Sequence, residues 1–228
     1  MGIHVLYEDL GIIDYKEAWD YQEEVHEKLK RARLDNNSEE GLQKILFCEH
    51  PHVYTLGKSG HETNLLINEN LLRSIKATYY KTNRGGDITY HGPGQIVGYP
   101  VIDLERLNLG VKDYIHTLEQ SIIVTLQEYG IQASRLSDAT GVWLDVDIPG
   151  KSRKICAIGV KVSRYVTMHG FALNVNTDLL YFSYIHPCGF MDRGVTSMEK
   201  ELGKKIDIEE VKLKLKTNLF QLFGFEEK

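Results

Sequence analysis

Arg84-Gly85-Gly86-Asp87-Ile88-Thr89-Tyr90-His91-Gly92-Pro93-Gly94-Gln95 is the most heavily punctuated stretch of this 228-residue chain. Four glycines, a proline, an arginine and a histidine lie between two β-forming runs, residues 78–82 and 95–102. The residues just after the glycines decide the fold class. A helix there would mark the dinucleotide turn of a doubly wound sheet, and a closing Gly-Lys-Ser/Thr would mark a phosphate loop. Neither occurs, because the next residues are β-forming. Working outward, further β-rich runs cover residues 44–48, 141–146, 154–162 and 167–175.

Three helices interrupt these runs. Ala18, Tyr21, Val25, Leu29 and Ala32 recur at steps of three and four, and the polar stretch 31–40 after them reads as a solvated loop. Ile115, Leu118, Ile122, Leu126 and Tyr129 share one face of a second helix that stops at Gly130. A third opens on Asp207 and Glu210 as a capping box and is expected to bury Ile208, Val211, Leu215, Leu219 and Leu222. Strands and helices mix without a regular βαβ alternation, which predicts an α+β fold: a mixed β-sheet with flanking helices. With no repeat or linker, residues 1–228 read as a single catalytic domain.

The composition narrows the function classes. Hydrophobic residues are 42% and charged residues 26%, as in a globular protein, and the net charge of −5 argues against a nucleic-acid binder. No apolar run is long enough to cross a bilayer, and Met1 to Tyr7 lacks the basic and apolar regions of a secretory signal, so the expectation is a cytoplasmic protein with no membrane partner. Cys48, Cys156 and Cys188 show no C-x-x-C spacing, which argues against a disulfide scaffold and against a metal site.

Two further segments carry candidate chemistry. In Lys154-Ile155-Cys156-Ala157-Ile158-Gly159-Val160-Lys161-Val162, strict strand alternation puts Lys154, Cys156, Ile158 and Val160 on one face. Lys154 at the start of that face is either a strand end that reaches for water or a partly desolvated amine able to accept a proton. Cys156 reads as a buried, inert thiol. In Tyr184-Ile185-His186-Pro187-Cys188-Gly189 the cysteine sits on an irregular turn, either packed or displayed as a nucleophile. His186 is a poor partner for it, since residues two apart in a turn give no assurance of facing each other.

Together these segments resemble the octanoyltransferase family of lipoate biosynthesis, within the biotin/lipoate protein ligase superfamily. The resemblance runs from about Phe47 to about Leu202. EHPHVYTLGK from Glu49 matches the family's E-H-x-x-x-[YF]-T-L-G segment, and RGGDITYHGPGQIVGYP from Arg84 is its most distinctive stretch. KICAIGVKV begins on the catalytic lysine position, Lys154. HGFALNVNTDLLYFSYIHPCG ends on the acyl-carrying cysteine position, Cys188, with Asp192, Val195, Thr196 and Ser197 of a D-x-x-V-T-S tail after it.

The resemblance implies a biotin/lipoate protein ligase-like fold and no cofactor. It implies transfer of an octanoyl group from octanoyl-acyl carrier protein, through a Cys188 thioester, to the acceptor lysine of lipoyl domains, the first step of endogenous protein lipoylation. Those acceptors would be the E2 subunits of 2-oxoacid dehydrogenases and the glycine cleavage H protein. Substrate contacts carried over by position are Arg84, Gly85, Gly86, Asp87, Ile88, Thr89, Tyr90 and His91, then Ala157, Ile158 and Gly159, then Gly170, Phe171 and Ala172. The oxyanion donors could come from Ala157–Gly159, from Gly170–Ala172 or from His91. Cys156 departs from the family, which more usually has a small residue such as alanine there. Because the partners would be acidic, a basic rim is expected from Lys58, Arg84, Lys151, Arg153 and Arg164. An ATP-dependent lipoate or biotin ligase, a non-catalytic carrier-binding module and a thiol protease are the rival readings.

Overall fold

The computed structural model describes residues 3–35, 42–186 and 193–228. Strand β1 (Ile3–Ile12) leads into helix α1 (Tyr15–Leu34), and β2 (Lys44–Glu49) and β3 (Val53–Leu56) come next. Helix α2 (Glu69–Ser74) precedes β4 (Thr78–Lys81), β5 (Ile88–His91) and β6 (Gln95–Val101). Helix α3 (Val111–Gln127) then leads to β7 (Ser134–Leu136), β8 (Ala139–Leu144), β9 (Arg153–Ser163) and β10 (Val166–Asn174). A 3₁₀ turn (Leu179–Tyr184), β11 (Gly194–Val195), α4 (Met198–Leu202), α5 (Ile208–Phe223) and β12 (Phe225–Glu227) complete the described chain.

Among the described residues these strands form two sheets. The larger runs β12-β1-β2-β6-β10-β9-β8-β7, with β11 beside β9; the smaller runs β4-β3-β5. Parallel pairs (β1 with β2 and β12, β9 with β11, β3 with β4) coexist with antiparallel ones, so the sheets are mixed as expected. One face of the large sheet packs on α3 and α5 through Phe47, Ile96, Phe171, Leu173, Leu118, Ile122, Leu215 and Leu219. The other face carries α1, whose Ala18 meets Leu46, Val97, Tyr99 and Ala172.

Local chemistry sets the helix ends. Asp14 caps α1 by accepting from the Lys16 N–H at 2.7 Å, and Asp207 caps α5 by accepting from the Glu209 N–H at 3.0 Å. Gly130 (φ +77°) and Gly224 (φ +69°) sit just past the ends of α3 and α5 in the left-handed region that glycine tolerates. Two expectations change. The stretch 31–40 is not all loop, because α1 continues through Leu34, and residues 36–40 lie outside the described chain. In α5 Leu222 is exposed and Phe223 takes the buried place at that end, stacked on Phe225.

Candidate functional site

A cavity of about 380 Å³ lies between the α1 face of the large sheet and the small sheet. That volume is in the usual range for a small-molecule site. Val97 and Tyr99 of β6, Ala172 of β10, Ile88 of β5 and Phe182 give it a largely apolar wall.

Lys154 reaches this wall because β9 does not keep strict alternation. Trp143 pairs with Lys154 and Val142 with Cys156, so β9 carries one extra residue between them, a β-bulge. Ile155 and Cys156 both enter the core against α3 and α5, while Lys154 shares the cavity side with Ala157 and Gly159. The expected common face of Lys154 and Cys156 is therefore corrected: the two lie on opposite sides of the sheet. Burial pushes the Cys156 thiol up, as it does that of Cys48, and both are inert packing residues. Cys188, Pro187, Gly189 and Asp192 lie outside the described residues. His186 is exposed, with its backbone N–H bonded to the Asn64 carbonyl.

The glycine-rich loop crosses the cavity between the two sheets. A Cβ on Gly57 would come within 2.2 Å of the Gly86 carbonyl oxygen, and one on Gly159 within 2.7 Å of that of Gly85. Only hydrogens at both positions let the loop lie between them. Gly85 ties it to β9 by donating its N–H to the Val160 carbonyl at 2.9 Å. Arg84 is buried and donates to Thr55 through Nη2 (2.5 Å to the carbonyl, 2.9 Å to Oγ1) and Nε (3.2 Å to Oγ1).

From Arg84 a directed chain of hydrogen bonds runs through the site. Gln95 Nε2 donates to Asn174 Oδ1 at 2.8 Å, which leaves Gln95 Oε1 to accept from His91 Nδ1–H, also at 2.8 Å. His91 Nε2 is then the bare nitrogen, 3.4 Å from the Thr55 hydroxyl. Asn174 Nδ2 donates to the Thr196 carbonyl at 3.0 Å, and the Thr196 N–H to the Lys154 carbonyl at 2.9 Å. Burial, with His50 and Arg84 adding to it, holds His91 down at about 3, so the ring is neutral. His169 is also held at about 3 by burial; it occupies φ +60° inside β10 and bonds Asn83, the residue before the loop, at 2.7 Å. Holding a non-glycine residue there costs about 1–3 kcal/mol, offset by the packing around it.

The structure brings Lys154, Arg84, Gly86, Asp87, Ile88, Thr89, His91, Ala157, Ile158, Gly159, Gly170, Phe171 and Ala172 to the cavity. Gly85 and Tyr90 do not line it. Tyr90 faces the small sheet's own cluster, its hydroxyl 2.7 Å from His52 Nδ1 and its ring stacked on Tyr181. Sequence reasoning missed Trp143, Tyr99, His169, Asn174 and Arg193 on the lining. Of these, His169 and Asn174 belong to the motif that ends on Cys188, and Trp143 to a predicted strand. The expected basic rim is not continuous: Arg84 is buried, and Arg153 is clamped by Glu201 at 2.7 Å and also by Asp145, whereas Lys58, Lys151 and Arg164 are exposed. No His/Cys/Asp/Glu cluster fit for a metal occurs among the described residues. Nor is any helix among them long and apolar enough to cross a membrane.

Comparison with known proteins places this geometry. Residues 14–220 match the family described as the lipoyl protein ligase A/B catalytic domain. The chain is 58% identical to an octanoyltransferase of Bacteroides fragilis over 91% of its own length and 92% of that protein's. It is 53% identical to an octanoyltransferase of Flavobacterium johnsoniae, with 99% of each chain covered. A bipartite lipoate protein ligase of Thermoplasma acidophilum superposes on 100% of this chain and 85% of its own, with TM-score 0.67 at 14% identity, a likeness of fold.

Proposed function

Because the chain belongs to the lipoyl protein ligase A/B catalytic domain family, we propose that it is an octanoyltransferase working through a covalent Cys188 acyl-enzyme. The single observation that carries the reading is the placement of Lys154, an amine on the wall of an apolar cavity reached only through the β9 bulge. Strand β11, which begins six residues after Cys188 in the chain, pairs with β9 at Arg153 and Lys154.

In the first half-reaction the Lys154 amine takes the Cys188 thiol proton. The thiolate attacks the carbonyl of octanoyl-acyl carrier protein; the new C–S bond forms, the old one breaks, and the departing pantetheine thiolate takes the proton from Lys154. In the second, the acceptor lysine amine of a lipoyl domain attacks the octanoyl-Cys188 thioester. The C–N bond forms, Cys188 leaves as thiolate, and the amine proton passes through Lys154 to the sulfur. A thioester exchanged for an amide runs downhill, so ATP has no place in the balance.

The cavity wall formed by Ile88, Val97, Ala172 and Phe182 suits an alkyl chain. Backbone N–H groups of residues 157–159 or 170–172, or the neutral His91, would face the developing oxyanion. The chain then acts as one catalytic unit in the cytoplasm, with acyl carrier protein and lipoyl domains as its protein partners. The test is intact-protein mass spectrometry after mixing with octanoyl carrier protein, without ATP. The wild-type chain should gain one octanoyl group and Cys188→Ala none. An adduct that persists on Cys188→Ala rules the assignment out.

A further inference from the structure

Trp143 presents its indole face to two cations at the cavity wall. Lys154 Nζ lies 4.6 Å from the ring centroid and Arg193 Cζ 5.7 Å from it, both within cation–π range. The ring itself is 2% exposed and lines the cavity. Its Nε1–H donates to the Ala139 carbonyl at 3.0 Å, which fixes its roll within β8.

The strand around it is built to bring Lys154 over this face. Trp143 is the cross-strand partner of Lys154, so the two side chains leave the sheet together. Gly141, at φ +122°, has no room for a Cβ: one would lie 2.6 Å from the Cys156 carbonyl oxygen and 3.5 Å from Lys154 Cε. The lysine stem passes over that glycine. Glu119 of α3 holds the turn, accepting from the Gly141 N–H at 3.0 Å and from Arg135 Nε at 3.0 Å. Arg193, on the same ring, is paired with Asp138 at 2.7 Å.

We propose that Trp143 is the positioning residue for Lys154, its indole face fixing where the amine sits and steadying the ammonium formed when that amine takes a proton. An aromatic face attracts an ammonium without occupying any of its three N–H donors in a directional bond. The attraction is to the charge and not to any one hydrogen, so the charge, costly to hold away from water, has a fixed counterpart. This inference rests on the reading of Lys154 as the proton acceptor of the transfer.

The experiment compares Trp143→Leu, Trp143→Phe and Lys154→Ala in octanoyl transfer, with folding checked by circular dichroism. Trp143→Leu should lower kcat about tenfold, with KM for the carrier substrate changed by less than about twofold, and Trp143→Phe should restore most of kcat. Wild-type kcat in Trp143→Leu, or equal loss in the Leu and Phe variants, overturns the proposal. Full turnover in Lys154→Ala would instead sink the reading of the lysine itself, so the two failures are distinct. A second measurement covers the case in which Trp143→Leu does not fold. The chain has two tryptophans, so a Trp19→Phe background isolates Trp143. There, Lys154→Met must change the indole emission, and unchanged emission overturns the contact.

Discussion

Gln95 and Asn174 meet side chain to side chain at 2.8 Å, and the direction of that one bond sets which way the His91, Gln95 and Asn174 side chains donate between Arg84 and Lys154. The Gln95 amide N–H₂ is spent on Asn174 and on the Tyr90 carbonyl, so its oxygen must accept from His91. The Asn174 amide in turn must donate to Thr196, whose N–H holds the Lys154 carbonyl. Arg84 and Lys154 come from distant parts of the chain, yet the Arg84 guanidinium and the Lys154 backbone are joined by one network.

Asn174→Asp keeps the shape of the side chain but removes its donor. The Thr196 carbonyl would lose its partner, and a carboxylate would be buried at a position 3% exposed in the wild type. A loss of about 2–3 kcal/mol in stability is expected, with a large drop in turnover. Urea denaturation and octanoyl transfer measure the two. Wild-type stability in this variant would show that the direction of the chain does not matter.

His91 sets an acid limit. Its folded-state value is pushed from 6.5 to about 3, so below pH 6.5 the unfolded chain binds a proton that the folded chain refuses. The stabilisation is complete above about 6.5 and lost progressively as the pH falls toward 3. At pH 5 the loss from this group is about 2 kcal/mol. His91→Gln should therefore lose less stability between pH 7 and pH 5 than the wild type. Equal slopes would contradict a neutral His91.

Gly159→Ala should dislodge the glycine-rich loop, since the new methyl would lie 2.7 Å from the Gly85 carbonyl oxygen and 3.4 Å from Arg84 Nη1. Turnover should fall at least about tenfold, with stability lowered by about 1–3 kcal/mol. Steady-state kinetics beside a thermal melt would check both; unchanged kinetics would mean that the loop can sit elsewhere and still work.

Ala172→Leu tests the proposed acyl pocket. Ala172 is 4% exposed on the cavity wall, and three added carbons would occupy space otherwise open to the alkyl chain. Each methylene denied burial costs about 0.8 kcal/mol. Preference should move from octanoyl toward hexanoyl or butanoyl donors, read as a ratio of kcat/KM values. An unchanged preference would place the alkyl chain away from this wall.

The large helices were legible because their apolar spacing and caps are local properties of α1, α3 and α5. So were β9 and β10, whose apolar runs announce strands wherever they pair. The bulge was not. Ile155 and Cys156 are both apolar, so the run reads as a regular alternation until its partner Trp143 fixes the register. Strand β1 was missed for a related reason: Glu8 and Asp9 look like surface residues, yet each has a lysine waiting from another element, Lys44 and Lys212. Arg84 and His91 stood out by composition, whereas Trp143 and Asn174 draw their importance from neighbours 11 and 22 positions away in the chain.

The extra residue in β9 makes the site's tolerance of length quite different from its tolerance of chemistry. Deleting Ile155 would remove the bulge and make Lys154 and Cys156 neighbours in a strictly alternating strand, so the amine would still emerge on the cavity side and the thiol on the helix side. A deletion farther along has no bulge to absorb it: losing Ile158 would turn Gly159 to the helix side, or turn Lys154 there instead. Substitutions along this strand can be graded, but a single insertion or deletion outside the bulge is all or nothing, because the side of the sheet on which the amine emerges is a matter of parity.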